Sequence, residues 1–220
     1  MKALGILGSP RKHGNSAKML KCAMEAISNE GFETEIIYLQ ERKINYCMGC
    51  GTCLATENCA IKDDMIELKE KISKTSALIL ASPVYYLNVT AQMKTFIDRM
   101  LSFGHRPSLR GYGGAIVSYA GVGDAELVAK YLNRVLKAWG IFPVGYAICY
   151  GVLPGEVGES ELEKARELGK AVAKACKERK APSVEKEDIF LQEQLLKLIK
   201  KYGYLMKADY DFWRKKGKID

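Results

Sequence analysis

Short apolar runs alternate with amphipathic stretches along the first two-thirds of the chain. Residues 2–8 (KALGILG) form a compact apolar run ending in glycine, the pattern of a strand buried on both faces. Over 15–29, Met19, Ala23, Ala26 and Ile27 recur at helical spacing with lysines elsewhere, and Asn15 or Ser16 is placed to cap the helix. Residues 33–39 (ETEIIYL), 77–81 (ALILA), 114–119 (GAIVSY) and 143–149 read as further strands. Helical spacing returns over 63–74, 91–101, 124–139 and 159–178, and the first of these carries acidic residues in its opening turn.

Five strands alternating with helices predict an α/β fold, a doubly wound parallel sheet covered on both faces. Right-handed crossovers leave few topologies, and the flavodoxin-like order 2-1-3-4-5 fits the count. This domain is expected over 1–181. A C-terminal helical extension follows over 182–220, with a Leu- and Lys-rich helix at 186–202 and an aromatic tail of Tyr202, Tyr204, Tyr210, Phe212 and Trp213. A five-stranded core does not need this appendage. It either packs on its own domain or makes a subunit contact, since aromatics are enriched at interfaces, and oligomerisation is the role assigned to it here.

In such sheets ligands bind outside the carboxyl ends of the strands. The segment after strand 1, Gly8-Ser9-Pro10-Arg11-Lys12-His13-Gly14-Asn15-Ser16, runs from a strand into a helix N-terminus and presents backbone N–H groups to an anion. Ser9, Asn15 and Ser16 add donors, and Arg11 adds a fork suited to phosphate. The spacing is neither a Walker A loop nor GxGxxG, so the ligand expected is a mononucleotide phosphate without Mg2+. His13 reads as solvent-facing. After strand 3, Pro83, Val84, Tyr85 and Tyr86 offer a flat apolar wall to a conjugated ring, with core packing as the alternative. The loop around Gly121, after strand 4, can approach the ring's polar rim.

Between strand 2 and the next helix lies CMGCGTCLATENC, with Cys47, Cys50, Cys53 and Cys59 spaced C-x2-C-x2-C-x5-C. Cysteines this close in a tight loop rarely present disulfide geometry. The opening MKALGILGSP lacks a long apolar signal region, which leads to the expectation of a reducing, cytoplasmic compartment. Zinc sites usually take two ligand pairs across a longer spacer, whereas consecutive x2 gaps resemble ferredoxin runs. The spacing therefore favours an iron–sulfur cluster, with zinc as the alternative. Cys22, Cys149 and Cys176 read as small buried hydrophobes.

The 220 residues carry a formal net charge of +8, 48% hydrophobic and 27% charged residues, with no apolar run of membrane-spanning length. Much of the excess lies late, among Lys197, Lys200, Lys201, Arg214, Lys215, Lys216 and Lys218. No nucleic-acid motif accompanies it, so neither nucleic acid nor membrane is expected as a partner. A basic surface also steers acidic protein partners.

GSPRKHGNS followed by SPVYYLNVTAQMKTFIDR resembles the NADPH-dependent FMN reductase group of flavodoxin-like proteins. With CMGCGTCLATENC after strand 2, the chain resembles the iron–sulfur flavoproteins of anaerobic archaea and bacteria over roughly residues 1–180. The resemblance implies FMN, its phosphate at Ser9, Arg11, Asn15 and Ser16 and its ring against Pro83, Val84, Tyr85 and Tyr86, with the Gly121 loop closing the site. It implies a [4Fe-4S] cluster on Cys47, Cys50, Cys53 and Cys59, and a homodimer or homotetramer in which one subunit's cluster approaches another's flavin. The expected function is electron transfer from ferredoxin or a similar carrier, through cluster and FMN, to an acceptor such as O2, peroxide or a quinone. The alternatives are an NAD(P)H-dependent FMN or quinone reductase with structural zinc, and a non-enzymatic redox sensor. Following strand 2, the cysteine loop is expected on the same sheet edge as the flavin site and as its neighbour, although the outer position of strand 2 also allows it to point away from its own flavin.

Overall fold

A computed structural model describes residues 1–121, 124–179 and 185–220. The expected boundary at 181/182 and most of the glycine loop beyond Gly121 lie outside the described residues. Five parallel strands form one sheet in the order β2-β1-β3-β4-β5: β1 Lys2–Leu7, β2 Glu33–Tyr38, β3 Ala77–Pro83, β4 Gly111–Tyr119 and β5 Ile141–Tyr150. This is the expected topology. Neighbouring residues along a strand serve opposite faces, as period-2 geometry requires. Leu78 and Leu80 enter one buried layer, Ile79 and Ala81 the other.

The first layer lies under α3 (Met65–Ser73), α4 (Ala91–Arg99) and α6 (Ala125–Trp139), and contains Leu68, Phe96 and Leu132. The second lies under α1 (Asn15–Asn29) and α7 (Glu159–Glu178), and contains Leu20, Ile27 and Val172. Each fully buried Leu or Ile here contributes about 1.5–3 kcal/mol. Such a frame holds the strand ends, and therefore the loops on them, in fixed relation.

Strand β4 begins three residues earlier than its apolar run suggests. The reason is close approach. A Cβ on Gly111 would stand 2.2 Å from the Ser76 carbonyl oxygen, and one on Gly113 the same distance from that of Leu78. A glycine-rich segment that reads as a loop is here a strand that only glycine allows.

Three elements lie outside the sheet's two layers. A short helix, α2 (Thr52–Thr56), sits inside the cysteine loop. The extension forms α8 (Lys186–Tyr202) and α9 (Lys207–Lys215). Ile199, Met206, Trp213 and Ile219 make a third apolar cluster, and Leu54 of α2 packs into it. The aromatic tail thus packs on its own chain, over the cysteine loop.

Candidate functional sites

At the carboxyl ends of the strands, the chain from β1 to α1 is pinned from several sides. The Gly8 N–H donates to the Ala81 carbonyl at 2.8 Å, and the Thr90 hydroxyl donates to the Gly8 carbonyl. A Cβ at Gly8 would stand 2.7 Å from Met93 Cβ. The Arg11 N–H donates to Ser9 Oγ at 3.1 Å, which curls the loop back on itself. The first helical bond of α1 runs from the Lys18 N–H to the Gly14 carbonyl, and no side chain caps the helix. The N–H groups of Asn15, Ser16 and Ala17 therefore precede the helical ladder, as an anion site at a helix N-terminus requires.

The side chains there divide the work differently from the sequence expectation. Asn15 is buried, and its amide donates to the Gly151 carbonyl at 3.2 Å and accepts from the Gly155 N–H at 2.6 Å. Its side chain ties down the loop after β5, which leaves one amide N–H, beside the backbone N–H, for a phosphate in the cleft it lines. Ser16 Oγ lies 2.6 Å from Ser118 Oγ at the end of β4. One hydroxyl of that pair donates to the other, leaving a single free proton. Arg11 is exposed and forms no ion pair among the described residues. His13 is exposed, as expected.

After β3, the Tyr85 and Asn88 backbones exchange hydrogen bonds of 2.7 and 3.1 Å around a tight turn. Its central residues, Tyr86 and Leu87, have φ of 42° and 69°. Bulky side chains at positive φ are uncommon and strained, and such strain concentrates where a site needs it. Tyr86 is fully exposed and Tyr85 nearly half so. Core packing, the alternative for this pair, does not occur.

Ser9, Arg11, Asn15, Ser16, Pro83, Val84 and Tyr85 line one cleft. Tyr86 and Gly121 stand outside its lining. Ser118, Tyr119 and the segment 151–154 complete it, and the sequence reading missed them. The strand-end rule already pointed to Ser118 and Tyr119. Nothing local marks the loop after β5, whose role depends on the contact from Asn15.

The cysteine loop is built by other means. Lys43 and Asn45 donate backbone N–H groups to Asp64 and Asp63 at 2.8 and 2.9 Å, drawing the two ends of the loop together. Arg99, at the end of α4, grips Asp63 with two bonds of 2.6 and 2.9 Å and donates to the Asn45 carbonyl at 2.7 Å. Both charged side chains are buried, with 1% and 3% of their surface exposed. Burial alone would raise the Asp63 carboxyl. The guanidinium and the N–H groups of Asn45 and Met65 overcome that and hold it down at about 2.

Gly49 and Gly51 have φ of 65° and 69°, turning the chain through a conformation that favours glycine. Cys47 and Cys50 are exposed, Cys53 and Cys59 half-buried. Cys50 Sγ lies 3.3 Å from Thr52 Oγ1, and hydrogen bonds from Thr52 push its thiol down. Burial pushes the Cys53 thiol up, against the charges of Lys69 and Arg106. Among the described residues no three His, Cys, Asp or Glu side chains converge closely enough to hold a single metal ion.

Cations surround the inner side of the loop. Arg99 Nη2 donates to Cys59 Sγ at 3.5 Å. Arg106 donates to the Cys53 carbonyl at 2.9 Å and to Asp209 of α9, which is fully buried and also meets His105 Nδ1 at 2.8 Å. Trp213 Nε1 donates to the His105 carbonyl at 2.9 Å, a second tie from α9. A cavity of about 430 Å³ opens between Cys59, Lys69, Arg99, Arg106 and Phe212, and shares no lining residue with the strand-end cleft. The loop follows β2 as expected, but α2 packs on α5 (Leu101–His105) and α9 instead of lying over the strand ends.

Comparison with known proteins gives a consistent picture. Residues 1–149 match the family model described as NADPH-dependent FMN reductase. An iron-sulfur flavoprotein of Archaeoglobus fulgidus is 62% identical over 220 residues, covering 100% of both chains. An iron-sulfur flavoprotein of Methanocaldococcus jannaschii is 34% identical over 189 residues, covering 80% of this chain and 98% of its own. Among solved structures, an NAD(P)H:quinone oxidoreductase from Methanothermobacter marburgensis superposes with a TM-score of 0.60 at 20% identity, covering 77% of this chain and 98% of that one. An archaeal flavodoxin does so with a TM-score of 0.54 at 16% identity, covering 80% and 99%. These two likenesses concern the fold.

Proposed function

As the chain belongs to the iron–sulfur flavoproteins of the NADPH-dependent FMN reductase family, and is therefore an FMN-dependent oxidoreductase, we propose that it moves electrons between a [4Fe-4S] cluster and FMN. When bound, FMN supplies one- and two-electron chemistry and the cluster one-electron chemistry. The strand-end cleft suits the FMN phosphate. The N–H groups of Asn15, Ser16 and Ala17 precede the helical ladder, and Ser9 and Arg11, the latter without an ion pair among the described residues, line the cleft beside them, a donor set suited to an anion. The enclosed part of the cleft, about 90 Å³, is small beside ligand pockets of roughly 300–1,000 Å³. It encloses the polar end of a mononucleotide and leaves the ring to the open edge, where Tyr85 and Tyr86 are exposed.

The cysteine loop suits the cluster by its donor set. Four soft thiol ligands stand on one strap, held by a buried ion pair and backed by cations that balance an anionic core. The observation that supports the reading is that the four-cysteine strap is anchored separately from the strand-end cleft. The two sites share no lining residue. We assign the completed electron path to an assembly, a homodimer or homotetramer in which one subunit's loop faces another's cleft. Exposed Phe190, Tyr204 and Leu205 on the extension support such contacts.

The donor is ferredoxin or a similar acidic carrier, drawn by the +8 surface, and the acceptor is O2, peroxide or a quinone. No described helix is long and apolar enough to cross a membrane. A cytoplasmic setting is part of the proposal. The test is anaerobic purification followed by analysis of iron, sulfide, zinc and FMN. About four irons, four sulfides and one FMN per chain are expected. Zinc without sulfide overturns the reading.

A further inference from the structure

Three cations from three elements converge behind the cysteine loop, and they differ in what neutralises them. Arg99 is matched by Asp63 through two bonds. Arg106 is matched by Asp209. Lys69, on α3, has no carboxylate within 4.0 Å among the described residues. Its amine donates only to Ser102 Oγ, at 3.4 Å. Glu57 and Glu70 line the same cavity, but Glu70 is paired with Lys74 at 2.5 Å. Glu57 is exposed and forms no ion pair among the described residues, so Lys69 differs from the two arginines in having no carboxylate in contact with it, and the cavity as a whole carries no surplus of charge.

The Lys69 charge is costly where it stands. Lys69 is half-buried in the cavity it shares with Cys59, Arg99 and Arg106. Burial pushes its amine below the ordinary value, and the negative charge of the Cys53 and Cys59 thiolates opposes the fall. A buried charge calls for a counter-charge. On this face the counter-charge is the iron–sulfur core with its thiolates, roughly −2 when oxidised and one unit more negative when reduced.

We propose that Lys69 is the side chain that sets the reduction potential of the iron–sulfur centre, through its charge against the loop's inner face. The inference rests on the reading that the four cysteines hold a cluster. A cation beside a centre that gains one electron stabilises the reduced form more than the oxidised form. At an effective dielectric constant of about 20, a unit charge within about 10 Å would shift such an equilibrium by roughly a factor of ten or more. Arg99 and Arg106 carry carboxylates with them, so their net fields at the cluster are weaker.

The experiment is an anaerobic redox titration of the holoprotein, with the cluster followed by EPR and FMN by its visible spectrum. At the wild-type cluster midpoint, Lys69→Met is expected to lower the reduced-to-oxidised ratio at least tenfold, which is 59 mV for one electron. Ser102→Asp, which gives Lys69 a carboxylate without removing it, is expected to lower the ratio in the same sense. Lys69→Arg stays within about threefold of wild type. Lys71→Met, on the same helix but paired outward with Glu35 at 2.6 Å, leaves the ratio unchanged. The FMN midpoint does not move in any of these variants. A wild-type cluster midpoint in Lys69→Met overturns the inference, as does an equal shift of FMN. If Lys69→Met takes up no cluster, Ser102→Asp decides, and a wild-type midpoint there overturns it. Absence of iron and sulfide from the wild-type protein instead overturns the underlying reading.

Discussion

The strand-end cleft and the cysteine loop, the two sites proposed to hold cofactors, are fixed in place by opposite routes. The cleft is made of backbone at the ends of buried strands. Its donors are N–H groups whose direction follows from β1 entering α1, and its residues lie in short local motifs. The loop has little regular structure of its own beyond α2. It is held by side chains far away in sequence: Arg99 on Asp63, 36 residues apart, and Arg106 on Asp209, 103 apart. A site on a sheet edge inherits rigidity from the core, whereas a site on a strap depends on a few buried charges.

The sharpest way to break the strap and spare the cleft is Arg99→Ala. It leaves the Asp63 carboxylate buried without its partner, a change that costs about 3–5 kcal/mol. Iron per chain is expected to fall far below wild type while FMN per chain stays close to it. Equal loss of both cofactors contradicts the separation of the two sites.

Asp209→Asn tests whether the extension belongs to the loop. It removes the negative partner of Arg106 and His105, at an expected cost of about 3 kcal/mol. Hydrogen exchange is expected to quicken in α2 and α9 together, with β1 and β3 unchanged. Quickening confined to α9 breaks the link between the tail and the cysteines.

Acid sharpens the comparison further. The Asp63 carboxyl is held at about 2, below its ordinary 3.8. A group depressed in the folded state adds stability above its unfolded value and loses it as pH falls through the folded value. This pair's contribution, on the order of 2 kcal/mol, is therefore present above about pH 4 and lost between about pH 4 and 2. Urea unfolding across that window is expected to be less pH-dependent in Asp63→Asn than in wild type.

The difference between the two regions also explains what the sequence made legible. The strand order, the loop proposed to bind an anion and the four cysteines proposed as ligands lie in contiguous patterns whose chemistry is local. The early start of β4 was hidden, because Gly111 and Gly113 look like loop until their contact with β3 is seen. Asn15 is expected as a phosphate donor, and its amide has a second task that no local pattern shows, holding residues 136 and 140 positions away. Lys69, Arg99, Arg106 and Asp209 gave no signal, since a lysine or arginine in an amphipathic helix reads as solvated surface. The tail's aromatics leave own-domain packing and a subunit contact open in the sequence, and Tyr202, Tyr210, Phe212 and Trp213 pack against their own chain while Tyr204 stays exposed.

The smallest expected effect lies at the open edge beside the cleft. Tyr86 makes no buried contact, so Tyr86→Ala is expected to leave the melting temperature nearly unchanged. FMN affinity falls about tenfold through loss of ring stacking, as read by fluorescence titration of the apoprotein. Unchanged affinity removes Tyr86 from the flavin wall.

The two sites are proposed as separate redox centres in one chain. An anaerobic reductive titration of the holoprotein, counting electrons to full reduction, tests this most directly. The account predicts about three electron equivalents per chain, two taken by FMN and one by the cluster. An end point at about two, with the cysteines occupied by zinc, would contradict it.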